Sequence, residues 1–248
     1  MWRKLCGIPY FLHNAVRYRR LNKGSAFTIR LRHLHYASYD RFSPAGNART
    51  HYFHQDLWAA RLLAQRQVRE LVDVGSRLDG FIAHVLPFCR VCYVDLRSLN
   101  AAVPGLEYRQ GSALQLPFAD GSVAVLTCLH VIEHIGLGRY GDPIHPEGHL
   151  AAAKELARVL APGGILLLGT PVGRERLCFD AHRVFNPQTI VDAFPTLSLE
   201  EFSLVDDQAR GVQHHATFEA AQQCNYGCGL FVFTTVPAGA AGRPCRAG

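Results

Sequence analysis

Short, continuously apolar runs separated by helix-like stretches constrain the fold of this chain more than any other feature of its sequence. The runs cover residues 71–74, 91–96, 123–129, 165–168 and 230–236. Because they lack a strict alternation of apolar and polar residues, they are typical of strands that are buried on both faces. Strands that alternate with helices form a parallel sheet that is covered on both sides. We therefore predict a doubly wound α/β fold.

Two helix-like stretches show apolar periodicity. In the first, apolar residues recur at helical spacing at Leu57, Ala60, Ala64, Val68 and Leu71. In the second, residues 147–160, one face carries Leu150, Ala153, Ala157 and Leu160, and Pro162-Gly163-Gly164 follows as a stop signal. Ligands of such sheets bind beyond the carboxyl ends of the strands. The residues that directly follow each strand are therefore the candidate site.

Positive charge is concentrated in the first part of the sequence. Residues 1–55 contain ten Lys and Arg and one acidic residue, Asp40, a net charge of +9, whereas the rest of the chain sums to −3. Such a segment indicates an anionic partner, which is a membrane surface, a phosphorylated substrate or nucleic acid, although a merely solvated basic segment has the same composition. We predict a basic N-terminal extension over 1–50, an α/β domain over 51–236 and a flexible tail over 237–248.

The sequence has neither the pattern of a secretory signal nor the ~18 consecutive apolar residues of a bilayer span. We therefore expect a cytoplasmic protein. The basic residues of 1–50 are the part that we expect to contact an anionic membrane, from its inner face.

Two motifs are similar to metal sites. The cysteine pairs at 89/92 and 224/228 have ligand-like spacing, but 132 residues separate them. His130-x-x-Glu133-His134 matches the inverted zinc-protease motif, but His130 ends a strand-like apolar run. We predict reduced thiols and no metal site.

The ends of the first two predicted strands carry the most specific polar residues. Gly75 follows the first strand and allows a tight turn with close backbone approach to a ligand. Arg77 and Asp79 stand where small residues are expected, and Asp79 repels a pyrophosphate, so a dinucleotide is disfavoured. Asp95, 20 residues after Gly75, either accepts hydrogen bonds from both ribose hydroxyls or caps a turn.

Further segments follow in a recognisable order. They are DVGSRLDG at 73–80, LPFADGSVAVL at 116–126, HVIEHI at 130–135 and LARVLAPGGILLL at 156–168. Over residues 70–172 the chain resembles the class I S-adenosylmethionine-dependent methyltransferases. The resemblance implies a Rossmann-like, mostly parallel sheet of seven strands, and S-adenosylmethionine as the cofactor.

The resemblance also implies roles for single residues. Asp73 shapes the glycine loop and the surroundings of the cofactor's amino group. Gly75 and Ser76 contact the methionine part of the cofactor through their backbone. Asp95 holds the ribose. Ser112 and Ala113 flank the adenine, and His130 lies at the mouth of the fourth strand.

The sequence departs from the family pattern at two of these places. Arg77 replaces the second glycine of the loop, and Ser112 stands where an aspartate often reads the adenine amino group. A non-catalytic binding protein that keeps this fold but has lost turnover is therefore the alternative. The segments at 51–60, 136–150 and 180–185 resemble a bacterial branch associated with glycan and lipopolysaccharide biosynthesis.

A methyl acceptor with a hydroxyl group benefits from a general base, for which histidine is suited. The candidates are His182, His134 and His54, with His51 as a further one, and Arg183 is the candidate for binding an anionic group of the substrate. His134 also fits a structural histidine, and His182 a loop-anchoring pair with an aspartate. We expect a small-molecule or glycan acceptor. Nucleic acid is less expected, because no aromatic-proline tetrad for base methylation follows the fourth strand.

Overall fold

The computed structural model describes residues 2–46 and 48–235, and the predicted tail at 237–248 lies outside them. The chain forms two compact units, Met1–Asn47 and Ala48–Gly248. The first unit falls within the predicted basic extension. It contains the 20-residue helix α1 (Trp2–Leu21) and two 3-10 turns, Leu31–His33 and Ser38–Phe42.

The second unit is built on a central sheet. Its strands are β1 (Glu70–Val74), β2 (Arg90–Asp95), β3 (Leu106–Gln110), β4 (Val123–Leu129), β5 (Leu160–Val172), β6 (Arg176–Cys178), β7 (His182–Val184), β8 (Leu197–Val205) and β9 (Gly227–Thr235). Seven of these strands form one sheet in the order β3-β2-β1-β4-β5-β9-β8, and β6 pairs with β7. The pairs from β3 to β5 are parallel, and β9 runs antiparallel to β5 and β8. The predicted mostly parallel seven-stranded sheet is confirmed.

Helices cover both faces of this sheet. They are α2 (His51–Gln65), α3 (Ala83–Val85), α4 (Gly148–Val159), α5 (Pro187–Asp192) and α6 (Phe218–Gln222). The α2 and α3 side chains pack in one apolar cluster with Leu230 and Val232 of β9. Side chains of α4, α5 and α6 pack in a second cluster with Phe231 and Phe233. Neighbouring residues of β9 thus enter opposite layers, which explains why its sequence is apolar throughout.

The first predicted helix is present, but it ends before the last two residues of the apolar spacing. Helix α2 begins after Thr50, whose hydroxyl accepts a hydrogen bond from the Phe53 N–H at 3.2 Å, and it ends at Gln65. Its buried residues are Gln55, Asp56, Trp58, Ala59, Ala60 and Leu63. Val68 lies beyond the helix and Leu71 belongs to β1. The helix ends because Gln67 has a left-handed φ of +56° and the Val68 N–H donates to the Leu63 carbonyl at 3.0 Å.

The second helix prediction needs a smaller correction. Leu150 of α4 is 40% exposed, and the buried face is formed by Ala152, Ala153, Leu156 and Val159. The segment Pro162-Gly163-Gly164 lies within β5, which starts directly after the helix at Leu160. The stop signal therefore falls inside the next strand, where the register between β4 and β5 shifts.

Candidate cofactor-binding site

A glycine turn follows β1 at the carboxyl edge of the sheet. Gly75 has a φ of +72°, in the left-handed region that favours glycine, and its N–H donates to the Val94 carbonyl at 2.9 Å. A Cβ atom at Gly75 would lie 3.2 Å from both methyl groups of Val131. The turn therefore needs glycine both for its backbone conformation and for the close approach of the segment after β4.

Asp73 fixes the shape of this turn. Its carboxylate accepts hydrogen bonds from the Ser76 N–H at 2.9 Å, the Ser76 hydroxyl at 2.6 Å and the Thr127 hydroxyl at 2.5 Å. Burial raises the pKa of Asp73 to about 7, and these hydrogen bonds act in the opposite direction. Asp73 is fully buried and is not part of the cavity wall. Its contact with the amino end of a cofactor stays a prediction.

Asp95 ends β2 with a carboxylate that already has four hydrogen bonds. Arg97 donates to Oδ1 from its backbone N–H at 2.8 Å and from Nε at 3.0 Å, and to Oδ2 from its guanidinium at 2.8 Å. The Tyr93 hydroxyl donates to Oδ2 at 2.7 Å. Although burial acts against ionisation, these donors lower the pKa of Asp95, so the carboxylate is ionised at neutral pH.

The ends of β1 and β2 face one cavity of about 510 Å³. Gly75, Ser76 and Asp95 line it, together with Ser112 and Ala113 from the turn after β3. The carboxyl ends of parallel strands meet at one edge of the sheet. The structure thus brings together most of the residues that the sequence assigned to cofactor binding.

The turn after β3 presents small residues to this cavity. The Ser112 hydroxyl accepts a hydrogen bond from the Leu114 N–H at 3.1 Å, which stabilises the turn locally. Ala113 is 7% exposed. Both side chains are small, so this turn adds little bulk to the cavity wall.

Arg77 lies at the wall of the cavity. Its guanidinium is 3.1 Å from the Asp79 carboxylate, and the two side chains are 49% and 81% exposed. The guanidinium carbon lies 4.9 Å from the ring centroid of Tyr52. Half of the Arg77 side chain is accessible, and its guanidinium is held by Asp79 and by the ring of Tyr52.

His130 follows β4 and closes the inner wall. Its φ of +55° is unusual for a residue with a side chain, and its N–H donates to the Gly169 carbonyl at 2.8 Å. Nδ1 lies 2.8 Å from Oε1 of the buried Glu133. Burial lowers the pKa of His130, but Cys228 and Glu133 raise it more. Among the described residues, Nε2 of His130 is buried without a hydrogen-bond partner.

His134 also lines the cavity and shares the same carboxylate. Its Nε2 lies 3.6 Å from Oε1 of Glu133, and its Nδ1 lies 2.6 Å from the Ala181 carbonyl. The Arg139 guanidinium donates to the Ala181 carbonyl at 3.0 Å, and the ring of Tyr140 packs against His134 at 5.5 Å. The proximity of both histidines lowers the pKa of Glu133, against the effect of its burial. His130 and His134 therefore stabilise one buried negative charge.

No group of three or more His, Cys, Asp and Glu side chains in the described residues is arranged to bind a metal ion. In the inverted zinc-protease motif, Glu133 contacts both histidines instead. The cysteines of the two predicted pairs are free thiols.

His182 lies in β7, opposite Cys178 of β6. Its ring centroid is 5.0 Å from that of Tyr226, which stacks on His51 at 5.4 Å. Burial lowers the pKa of His182, against the opposing effect of the Glu133 carboxylate, so the ring is neutral at pH 7. His182 is not part of the cavity wall.

The structure places the other two predicted side chains in structural contacts. His54 lies on α2 with Nε2 2.8 Å from the Ala209 carbonyl, and it does not line the cavity. The Arg183 guanidinium donates to three carbonyl oxygens, of Glu133, Ile135 and Pro146, at 3.3, 2.8 and 2.9 Å. Catalysis by His54 and anion binding by Arg183 stay predictions, and these contacts already employ both side chains.

Sequence reasoning missed several residues of the cavity wall. They are Tyr52, Arg97, Arg139 and Tyr140. Arg97 follows the second strand by two residues, so the expectation that ligands bind beyond the carboxyl ends of strands was sufficient to predict it. Tyr52 comes from α2 and the other two from a loop, and only tertiary packing brings these to the cavity.

Comparisons of the sequence give partial matches. A family described as a Caenorhabditis protein of unknown function, DUF268, matches residues 119–221. An uncharacterized methyltransferase of Mycobacterium sp. (strain JLS) is 34% identical over 124 residues, which are 47% of this chain and 44% of that protein. An uncharacterized methyltransferase of Mycolicibacterium gilvum (strain PYR-GCK) is 31% identical over 143 residues, which are 54% of this chain and 51% of that protein. The chain spans about half the length of these curated relatives.

Comparisons of the structure extend over most of the chain. The [4+2]-cyclase SpnF superposes with a TM-score of 0.56 at 14% identity, covering 78% of this chain and 86% of that one. The 1,6-didemethyltoxoflavin-N1-methyltransferase of Burkholderia thailandensis, solved with S-adenosylhomocysteine, has a TM-score of 0.54 at 13% identity, covering 73% and 78%. At such identities the similarity shows the fold, which is the Rossmann-like fold that these proteins share.

Proposed function

We propose that this protein transfers the methyl group of S-adenosylmethionine to a hydroxyl group of a small molecule, such as a sugar used in glycan biosynthesis. The observation that carries the proposal is the cavity at the ends of β1 and β2, where the left-handed turn at Gly75 and the ionised carboxylate of Asp95 face the same space. The similarity to uncharacterized methyltransferases over about half the chain supports it.

The residues present fit this cofactor. Asp95 has the carboxylate that two ribose hydroxyls require, and Ser112 and Ala113 leave room for a flat ring. Gly75 and Ser76 line the cavity, where the backbone of the glycine turn can meet the methionine part of the cofactor. A cavity of about 510 Å³ lies within the range of small-molecule sites.

Arg77, which the family pattern does not predict, completes this fit. A methionine group carries a carboxylate, and the half-exposed guanidinium of Arg77 is a cation on the same cavity wall. Its partner Asp79 is mostly exposed, so exchanging that ion pair for another costs little. We assign to Arg77 the binding of the cofactor's carboxylate.

The bound cofactor supplies an activated methyl group on a sulfonium centre. This chain aligns the acceptor with it and removes the hydroxyl proton. We assign proton removal to His182, because its ring is neutral at pH 7 and packs against Tyr226. His182 does not line the cavity, so the acceptor must extend from the cavity toward β7. His134 and Tyr52 line the acceptor side of the cavity.

The test combines binding with transfer. Titration calorimetry with S-adenosylhomocysteine measures cofactor binding, and incubation with methyl-labelled cofactor and a bacterial glycan extract reveals the acceptor. We expect both binding and labelling. His182→Ala should abolish labelling while S-adenosylhomocysteine still binds, and His54→Ala, which removes only a ring that contacts the Ala209 carbonyl, is the matched control.

The alternative is a non-catalytic binding protein. The observation that favours it is the occupied carboxylate of Asp95, whose hydrogen-bonding capacity Arg97 and Tyr93 already use. The similarity to a cyclase also shows that this fold does not by itself determine the reaction. A folded protein that does not bind S-adenosylhomocysteine would exclude the methyltransferase and leave this alternative. Binding without labelling of any extract component would also support it.

A further inference from the structure

Helix α1 presents a stripe of uncovered apolar side chains. Leu5, Ile8, Leu12 and Val16 are 57%, 43%, 58% and 50% exposed. Their spacing of three and four residues places them on one face of the helix. Exposed apolar residues that stand singly are common on proteins, but a continuous stripe over three turns indicates an interaction surface.

The other side of α1 packs within its own unit. A Cβ atom at Gly7 would clash with the Tyr36 hydroxyl, and it would lie 2.8 Å from the Tyr39 backbone N. The rings of Phe11 and Tyr36 are in edge contact at 5.5 Å, and those of Tyr10 and Phe42 at 5.7 Å. The folded unit therefore uses one face of α1 for its own packing and leaves the apolar stripe on another.

The surroundings of the stripe are strongly basic. Residues 1–47 contain nine Lys and Arg against one acidic residue, Asp40, which gives a net charge of +8. Helix α1 itself contains no Asp or Glu, and Arg19 and Arg20 lie in its last turn. An apolar stripe on a basic helix is complementary to the surface of an anionic bilayer, which offers negative headgroups above an apolar layer.

We propose that α1 docks in the plane of an anionic lipid bilayer, with Leu5, Ile8, Leu12 and Val16 inserted and the basic side chains bound to the headgroups. In the described part of the chain, no helix has the length and apolar character to cross a membrane. Nucleic acid matches the charge but provides no apolar layer for the stripe. The inference does not depend on the proposed methyl transfer.

The test is flotation of the full chain with lipid vesicles. One set contains phosphatidylcholine with one third phosphatidylglycerol, and the other contains phosphatidylcholine alone. We expect the chain to float with the anionic vesicles, with a partition coefficient at least about tenfold higher than for neutral ones, and high salt should weaken the binding.

Two pairs of variants separate the contributions. The double variant Leu12→Asp, Val16→Asp should lower partitioning at least about tenfold, because it places charge in the apolar layer. Leu177→Asp is its control, since this leucine of the other unit is equally exposed at 55%. The double variant Arg19→Glu, Arg20→Glu should lower partitioning similarly, with Arg61→Glu on α2 as its control. Circular dichroism checks that all variants keep their helix content.

Three results would overturn the proposal. The first is equal flotation of the chain with neutral and with anionic vesicles. The second is flotation that the Leu12→Asp, Val16→Asp variant does not change. The third is a chain that floats with neither type of vesicle. Binding of the chain to a polynucleotide that the Leu12→Asp, Val16→Asp variant retains, without vesicle binding, would assign the basic unit to nucleic acid instead.

Discussion

The guanidinium and backbone N–H of Arg97 provide three of the four hydrogen bonds that the Asp95 carboxylate accepts. A carboxylate has about four acceptor sites, so a ribose can bind to Asp95 only when it displaces some of these donors. The Arg97 side chain is 58% exposed, and its guanidinium lies 4.8 Å from the ring centroid of Tyr140. Arg97 therefore competes with the ligand that Asp95 is proposed to hold.

We expect Arg97→Ala to strengthen the binding of S-adenosylhomocysteine by about fivefold, which corresponds to ~1 kcal/mol for an exposed ion pair. Asp95→Ala should abolish the binding. Titration calorimetry of both variants measures the effects. If Arg97→Ala weakens binding instead, Arg97 holds the ligand and does not compete with it.

Arg77 is expected to bind only the carboxylate of the cofactor. Arg77→Ala should therefore weaken the binding of S-adenosylhomocysteine by about tenfold, the effect of one charged hydrogen bond. The binding of 5′-methylthioadenosine, which has no amino-acid group, should stay unchanged. Affinities of both ligands are compared by calorimetry. An equal loss for both ligands would show that Arg77 acts on the shape of the loop.

Two glycines with left-handed backbone allow the effect of backbone strain to be distinguished from that of steric contact with a neighbouring side chain. A Cβ atom at Gly163, with a φ of +75°, meets nothing within 4 Å, whereas at Gly75 it meets Val131. Both Gly75→Ala and Gly163→Ala should lower the free energy of unfolding by ~1–2 kcal/mol. The decrease should be larger for Gly75→Ala. Only Gly75→Ala should weaken the binding of S-adenosylhomocysteine. Denaturant unfolding and calorimetry measure the two effects, and loss of binding in both variants would mean that the turn is not the cause.

Asp73 makes stability depend on pH. Its pKa is raised to about 7 in the folded protein, so the unfolded chain loses this proton first, near pH 4. The contribution of Asp73 to the free energy of unfolding is full below pH 4 and declines up to about pH 7, by at most about 4 kcal/mol. Denaturant unfolding at several pH values should show a flatter profile for Asp73→Asn than for the control Asp192→Asn on the surface. Parallel profiles would contradict the raised pKa.

Glu133 stabilises the inner wall of the cavity through two histidines. Glu133→Gln removes a buried charge from its partners, and we expect the free energy of unfolding to fall by ~3 kcal/mol or more. The pKa of His130 should fall as well, since the carboxylate raises it. Nuclear magnetic resonance of the imidazole protons follows this titration. An unchanged pKa of His130 would assign the upward shift to Cys228.

The sequence predicted the strands better than the helices. The continuous apolar runs of β1, β2 and β4 identify strands whose two faces are both buried, and the ends of these strands locate the cavity. The helix faces were less predictable, because Leu150 has an apolar side chain and yet lies on the exposed side of α4. Side-chain chemistry alone does not reveal which side of a helix meets the sheet.

The same limit applies to the site. Asp95 was found from its place after β2, but its engagement by Arg97 depends on side-chain geometry. Tyr52 and His54 are two residues apart on α2, and only Tyr52 lines the cavity, while His54 contacts the Ala209 carbonyl. A residue type suited to catalysis does not show in which direction its side chain extends.

The position of β9 has a consequence for the biogenesis of the protein. This strand is the last one described along the chain, yet it lies between β5 and β8. During synthesis the ribosome must complete residue 235 before β5 and β8 can be joined into one sheet. Until then the edges of β5 and β8 that β9 will cover lack their partner strand, and unpaired edges of this kind are the ones that associate with other chains.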